Sequence, residues 1–303
     1  MKSLSINIRG NPYFLMPLVE YWKKKKEWEL QPDPQKADVI FLEWANEQCI
    51  SMSKNTARKN IVCRVLGSEY YQEFWKQADP KGIHSFLIMN PISTMDGYHR
   101  TDYIPSTVDV NYWKPVSKKF ITDKKTIGIV GSFIYNKGHF PLLQMIAEKP
   151  DYFDTVYFIG DNNENIRNQN DSIRALETRK IIKQSKYFAK EHGIKIHFTG
   201  QLNNEELRSY YSTLDYIVNN SVNEGCPASL SEALSCECRI LVNDWPGARI
   251  HYTDANVFSY ASDFWQLIDQ KRFSKKECRQ YAIDNFSLEV IMPKIDKILK
   301  ECL

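Results

Sequence analysis

Short apolar runs alternate with amphipathic helical patterns along the chain, and this alternation constrains the fold more than any other feature. In the second half the strand-like runs are "KTIGIVGSF", "DTVYFIGD", "IKIHFTG", "DYIVNNS" and "CRILVND", with helix-like stretches such as "NNEELRSYYSTL" between them. Strands and helices that alternate through short loops are typical of a parallel, doubly wound sheet. The sequence therefore predicts an α/β fold.

The first half shows the same alternation, which predicts a second sheet. Strand-like runs "SLSINI", "ADVIFLEW" and "SFLIMN" accompany a helical pattern over residues 12–28, "PYFLMPLVEYWKKKKEW". A polar, basic stretch at 115–125 is typical of a linker. We therefore expect two Rossmann-like domains, 1–115 and 116–285, whose strands end at a ligand-binding cleft.

Composition and charge narrow the functional classes. The formal net charge of +3 gives no general case for nucleic-acid binding. No apolar run approaches the roughly 18 residues that a membrane-spanning helix needs, and the first residues do not resemble a signal peptide. The odd number of scattered cysteines, seven, favours reduced thiols and a cytoplasmic location. The basic run Lys23–Lys26 is either the solvated end of a helix or a contact with an anionic inner-membrane surface or acceptor.

The stretch "SVNEGCPASLSEAL" (221–234) places two carboxylates eight positions apart around a Gly-x-Pro turn. Glu224 falls in the loop after a predicted strand, and Pro227 suits the first turn of the next helix. The N–H groups around Ala228 favour a phosphate, and Glu232 is placed to accept hydrogen bonds from a diol such as ribose. The pattern predicts a nucleotide-sugar site; the alternative is a plain turn with two solvent-facing glutamates.

The wider context resembles a known family. Residues 196–249 are similar to the nucleotide-binding half of the GT-B glycosyltransferases of family 4, with "FTG", a helix containing "EELRSYY" and the motif S-x-x-E-G-x-P-x-x-x-x-E-A in order. "VGSFIYNKGHFPLLQ" (130–144) and "IPSTVDVNYWKP" (104–115) resemble two further family motifs. "DNFSLEVIMPKIDKIL" resembles the family's last helix, which implies that residues 286–303 return to the N-terminal domain.

The resemblance implies roles for individual residues. Lys137 would stabilise charge on the leaving diphosphate and Glu224 would contact hydroxyls of the donor sugar, and these two are the predicted catalytic residues. Glu232 would hold the ribose. The remaining donor-binding positions that the resemblance implies are Gly10, Gly131, Ser132, Gly160, Leu202, Gly225, Cys226, Pro227 and Ala228.

The resemblance also implies the reaction. The family transfers a sugar with retention from a nucleoside-diphosphate sugar, here favoured as UDP-linked, with no required metal or other cofactor. The acceptor is expected to be a glycan or a lipid-linked saccharide in cell-surface polysaccharide synthesis, against a wall of aromatic side chains in the N-terminal domain. A nucleic-acid base or a protein is the alternative acceptor.

Two departures from the family pattern favour a third interpretation, a catalytically weakened module that binds a nucleotide-sugar. Ser132 stands where the family has an arginine, and Leu66 stands where it has a histidine. Arg9 or Arg64 is a conjectural replacement for the missing cation. Retention of Lys137 together with the two glutamates argues for the enzyme.

Overall fold

The computed structural model describes residues 2–7, 15–56, 59–66, 73–90, 92, 100–117, 124–160, 172–270 and 273–303. The chain divides into two compact units. The N-terminal unit consists of Met1–Asp109, Gly225–Pro227 and Asp284–Leu303, and the C-terminal unit consists of Val110–Glu224 and Ala228–Ile283. Within the described residues each unit contains one six-stranded sheet in which all pairings are parallel. The predicted α/β class with two doubly wound sheets is confirmed.

The helices and strands alternate as the sequence pattern predicts. In chain order they are β1 (Lys2–Asn7), α1 (Met16–Lys25), β2 (Trp28–Leu30), β3 (Val39–Glu43), α2 (Glu47–Asn55), β4 (Ile61–Val65), β5 (Ile83–Ile88), β6 (Thr101–Tyr103), β7 (Lys125–Val130), α3 (His139–Ile146), β8 (Phe153–Ile159), α4 (Ser172–Glu191), β9 (Ile196–Gly200), α5 (Asn204–Thr213), β10 (Tyr216–Asn219), α6 (Ala228–Ser235), β11 (Arg239–Asn243), α7 (Ala248–His251), β12 (Val257–Phe258), α8 (Ala261–Gln270), α9 (Lys275–Phe286) and α10 (Leu288–Lys300). Short 3-10 helices cover Phe74–Gln77 and Tyr135–Lys137.

The helix predicted over residues 12–28 is shorter in the structure. It begins at Met16, and Pro17 lies in its first turn, where the missing N–H costs nothing. It ends at Lys25, and Lys26 adopts a left-handed conformation with φ of 56°. Trp28 then starts a three-residue strand that pairs with β1.

The N-terminal unit is held together by residues from both ends of the chain. Its sheet has the order β2-β1-β3-β4-β5-β6, and α10 packs with α1 and β1 in one apolar core. Inside this core, the buried Asp296 of α10 accepts hydrogen bonds from the indole N–H groups of Trp22 at 2.7 Å and Trp28 at 3.1 Å. On β4, the buried Arg64 forms an ion pair of 2.7 Å with Glu43 of β3.

The C-terminal unit has the sheet order β12-β11-β10-β7-β8-β9. Its core is built from apolar side chains of β7, β8 and β10 packed under α3, α4 and α8. At the start of α5, Asn203 and Glu206 form a reciprocal capping box.

No helix within the described ranges is both long and apolar enough to cross a membrane.

All seven cysteines are free thiols, and Cys302 alone among them is not buried. Burial raises the pKa of Cys236 to about 12, so this thiol stays protonated and unreactive at neutral pH.

Candidate functional site

The strand order of the C-terminal unit brings the loop after β7 next to the loop after β10. The chain runs from β7 outward to β8 and β9, and then crosses back to place β10 on the other side of β7. The order of the strands therefore reverses between β7 and β10. In doubly wound sheets ligands bind at the carboxyl end of the strands beside this reversal.

Two glycines allow the backbone to pack closely at this edge. Gly138 has φ of +68°, and a Cβ atom there would lie 2.1 Å from the carbonyl oxygen of Asn220. Gly160, with φ of +153°, would place a Cβ atom 2.1 Å from the carbonyl oxygen of Gly131. No side chain fits at either distance, so the loops after β7, β8 and β10 pack backbone to backbone.

Lys137 and Glu224 form an ion pair at this edge. Lys137 ends the 3-10 helix after β7, and Glu224 lies five residues beyond the end of β10. The two side chains are 24% and 13% exposed, respectively, so solvent reaches both only in part. The stem of Lys137 lies beside Gly131, close to where a Cβ atom would stand at that position. The structure thus brings together the two residues that the sequence analysis predicted to be catalytic.

Glu224 is held by neutral donors as well as by the lysine. Its Oε1 atom accepts a hydrogen bond from Ser221 Oγ at 2.6 Å and from Asn219 Nδ2 at 3.3 Å. The Oδ1 atom of Asn219 in turn accepts the indole N–H of Trp245 at 3.1 Å. Asn219, Ser221 and Trp245 are all buried. A buried chain of hydrogen bonds therefore runs from the loop after β11 to the carboxylate of Glu224.

Sequence reasoning missed these three supporting residues. Asn219 and Ser221 carry a signal, because polar side chains at the carboxyl end of a buried strand and just beyond it stand at the ligand-binding edge of a parallel sheet. Trp245 carries none, since its contact with Asn219 depends on β11 lying next to β10.

Glu232 lies within α6 and is 7% exposed. Its Oε2 atom accepts a hydrogen bond from the hydroxyl of Tyr211 on α5 at 3.2 Å. Glu232 is thus buried, and Glu224 is largely shielded, so the alternative of a plain turn with two solvent-facing glutamates is wrong.

The other predicted donor-binding positions are distributed over both units. Ser132 is exposed in the loop after β7, Leu202 is half-buried between β9 and α5, and Ala228 begins α6. Gly225, Cys226 and Pro227 belong to the N-terminal unit, where Cys226 Sγ lies 3.2 Å from Ser106 Oγ. Gly10 falls outside the described residues, as does Arg9. Because Arg64 is buried and paired with Glu43, the structure does not support the conjecture that it replaces the cation missing at Ser132.

Across the described ranges, no three His, Cys, Asp or Glu side chains lie close enough together to form a metal site.

Comparison with known proteins adds a family match. Residues 114–257 match the family model of the Glycosyl transferases group 1. A comparison with curated proteins finds no match.

Several solved structures share this fold. The chain aligns with Anabaena HepE in complex with UDP at a TM-score of 0.75 and 14% identity, covering 99% of this chain and 100% of that one. It aligns with sucrose-phosphate synthase from Thermosynechococcus elongatus at a TM-score of 0.69 and 16% identity, covering 96% of this chain and 77% of that one. It aligns with a glycosyltransferase from Rickettsia africae at a TM-score of 0.68 and 14% identity, covering 99% of this chain and 90% of that one.

At these identities the likeness shows the fold, and the family match covers the segment that carries Lys137, Glu224 and Glu232. The chain therefore has the GT-B fold, and its residues 114–257 match the family model of the group 1 glycosyltransferases.

Proposed function

We propose that this chain is a retaining, metal-independent glycosyltransferase. It moves a sugar from a uridine-diphosphate donor to a glycan or a lipid-linked saccharide in cell-surface polysaccharide synthesis. The family match supports glycosyl transfer. The HepE structures, one with UDP and another with UDP-glucose, support a uridine donor.

The observation that carries this proposal is the Lys137–Glu224 ion pair beside the strand reversal. When the bond between the anomeric carbon and the diphosphate breaks, negative charge develops on the departing phosphate oxygen. An ammonium group at that place stabilises the charge more in the transition state than in the bound donor. Glu224, fixed by Ser221 and Asn219, accepts hydrogen bonds from donor-sugar hydroxyls.

Glu232 is assigned to the ribose. A buried carboxylate that already accepts one hydroxyl, that of Tyr211, is suited to accept the hydroxyls of a diol. Gly131 leaves space for a phosphate oxygen to approach its backbone, because a Cβ atom there would meet nothing nearer than the stem of Lys137 at 3.7 Å.

The first experiment measures nucleotide binding by thermal shift, with UDP, GDP and the corresponding nucleoside-diphosphate sugars. A ligand at 100 times its dissociation constant adds about 2.7 kcal/mol to the free energy of unfolding. UDP should stabilise the wild type, and Glu232→Gln should weaken UDP binding by roughly 1–3 kcal/mol. Unchanged UDP affinity in this variant would contradict the ribose assignment.

The second experiment measures the reaction itself. Hydrolysis of the donor, or its transfer to saccharide acceptors, is followed with and without EDTA, and the anomeric configuration of the product is read by NMR. Activity that survives chelation, with a product of retained configuration, is the expected result. Complete loss with EDTA, or an inverted product, would overturn the corresponding part of the proposal.

A weakened nucleotide-sugar-binding module is the second candidate, and the exposed Ser132 in the place of the family's arginine favours it. This candidate predicts that UDP-sugars stabilise the protein and are neither hydrolysed nor transferred. The two experiments together therefore separate an enzyme from a binding module.

A further inference from the structure

Helix α4 presents an unusual face to solvent. The helical period places Ile173, Leu176, Lys180, Lys183, Tyr187 and Lys190 along one line, and all six are exposed. We call these six residues the α4 stripe. Three of them are large and apolar or aromatic, with exposed fractions of 81% for Ile173, 52% for Leu176 and 66% for Tyr187.

The opposite face of α4 accounts for the attachment of the helix to its unit. Ala175, Thr178, Ile181, Ile182, Ser185 and Ala189 are all buried, and several of them belong to the apolar core of the C-terminal unit. The exposed apolar side chains of the stripe therefore contribute nothing to the core of this unit. Isolated exposed apolar residues are ordinary, but three in line on one helix form a surface feature.

The helix is also strongly basic. Helix α4 contains six arginine and lysine residues and two glutamates, which gives a formal charge of +4, against +3 for the whole chain. Exposed Arg179 and Lys186 flank the stripe. Of the two acids, Glu177 accepts a hydrogen bond from the backbone N–H of Tyr135, and Glu191 is the last residue of the helix.

We infer that the α4 stripe docks on an anionic lipid surface. A helix that lies in the membrane interface combines lysines, which attract anionic headgroups, with apolar side chains that enter the boundary of the acyl chains. Twenty residues of helix give a contact line of about 30 Å. A nucleic acid would use the lysines but would leave Ile173 and Leu176 in water, so the lipid surface fits the whole stripe better.

The basic run Lys23–Lys26 is the rival membrane contact, and the structure favours α4 over it. Lys23 pairs with Glu20, and Lys25 lies over the ring of Tyr21. The run lacks interleaved apolar residues, which a lipid interface would use. The inference about α4 concerns where the molecule binds and is independent of the reaction that it catalyses.

The test is co-sedimentation of the full chain with vesicles of phosphatidylcholine and phosphatidylglycerol, or of phosphatidylcholine alone. We expect binding to the anionic vesicles that weakens with salt. Lys180→Gln, Lys183→Gln and Lys190→Gln together should weaken it at least about tenfold, since each lysine near the surface adds to the attraction. Ile173→Ser with Leu176→Ser should also weaken it severalfold at unchanged charge.

The matched control is Lys23→Gln, Lys24→Gln and Lys25→Gln, which removes the same charge from α1 and should leave vesicle binding within about twofold of the wild type. Thermal unfolding of each variant confirms that the exposed substitutions leave the fold intact. Loss of vesicle binding in the α1 variant with none in the α4 variant would overturn the inference. A second result would also overturn it: the α4 lysine variant loses binding to single-stranded DNA and to vesicles by equal factors, and the Ile173 and Leu176 substitutions leave vesicle binding unchanged. That pattern would indicate a site that binds any polyanion.

Discussion

Lys137 and Glu224 act as one electrostatic unit, so a change to the lysine should separate catalysis from binding. Lys137→Met keeps the aliphatic stem beside Gly131 and removes the charge. We expect kcat for donor hydrolysis or transfer to fall about 10²–10³-fold, with a smaller loss of UDP affinity, because the developing phosphate charge loses its partner. Steady-state kinetics and calorimetric titration with UDP measure the two quantities.

The control for this substitution is Lys125→Met. Lys125 is also ion-paired, with Asp215 at 3.3 Å, but it stands at the first residue of β7, at the opposite edge of the sheet. Its loss should leave kcat unchanged. If Lys137→Met lowered kcat and UDP affinity by equal factors, the lysine would be an anchor for the donor with no special role in the transition state.

The hydrogen-bond chain to Glu224 gives a second prediction. Trp245→Phe removes the indole N–H that Asn219 accepts, and it should cost roughly 1 kcal/mol of stability. It should also lower kcat about 3–10-fold with little change in UDP affinity, because Asn219 no longer holds Glu224 in one orientation. Chemical denaturation and steady-state kinetics check the two effects.

Trp22→Phe makes the same chemical change in the N-terminal unit, where the indole donates to Asp296. It should reduce stability by a similar amount and leave kcat unchanged. If both variants lose activity in proportion to stability, Trp245 has a structural role only.

The sequence predicted the charged members of the site and missed their supports for a physical reason. The motifs that contain Lys137, Glu224 and Glu232 are short and continuous, so each can be identified within a single stretch of the sequence. Asn219 and Trp245 meet only because β11 pairs with β10, and strand order is not written in local sequence.

At the scale of a helix, α3 contains a buried histidine that makes stability depend on pH. His139 is 1% exposed, and its ring lies 4.8 Å from that of Phe133 and 5.4 Å from that of Phe158, measured between centroids. Among the described residues, neither ring nitrogen has a hydrogen-bond partner. Burial, with a smaller effect of the charge on Lys137, lowers the pKa of His139 to about 3.

The sign of the effect follows from the lowered pKa. Above pH 6.5 the imidazole is neutral in both the folded and the unfolded chain, so it contributes no pH dependence. Below pH 6.5 only the unfolded chain binds the proton, and the free energy of unfolding should fall by about 1.4 kcal/mol per pH unit until pH approaches 3.

His139→Phe should abolish this part of the slope, which urea denaturation at several pH values between 4 and 7 measures. A slope that is identical in the wild type and in His139→Phe would show that other groups dominate the acid sensitivity.

Helix boundaries show where local patterns mislead. The apolar and basic residues of 12–28 fit a single helix by period. In the structure, however, Trp28 begins the three-residue strand β2, which pairs with β1. β12, with two residues, is also too short to show a period of two. Helix α5, in contrast, was predicted because its apolar side chains repeat at the helical period over several turns.

For the whole molecule, the position of the last helix sets how the chain folds. The N-terminal core joins α1 to α10, and the hydrogen bond between Trp22 and Asp296 spans 274 residues of sequence. The C-terminal unit has its own core, made from residues between Ile127 and Ile268. Closing a loop of this length costs chain entropy, which slows the formation of such distant contacts. The core of the N-terminal unit includes α10, so it is complete only after this last helix has docked.

Separate cores predict that a cavity in one unit destabilises that unit first. Ile295→Ala in α10 should cost roughly 2–5 kcal/mol, because Ile295 is fully buried. Hydrogen exchange measured peptide by peptide should then accelerate in β1–β6 and not in β7–β12. Ile129→Ala in β7, a site of equal burial, should produce the reverse pattern and also weaken UDP binding. Acceleration over both sheets alike in either variant would mean that the two cores unfold as one cooperative unit, and the prediction would then be wrong.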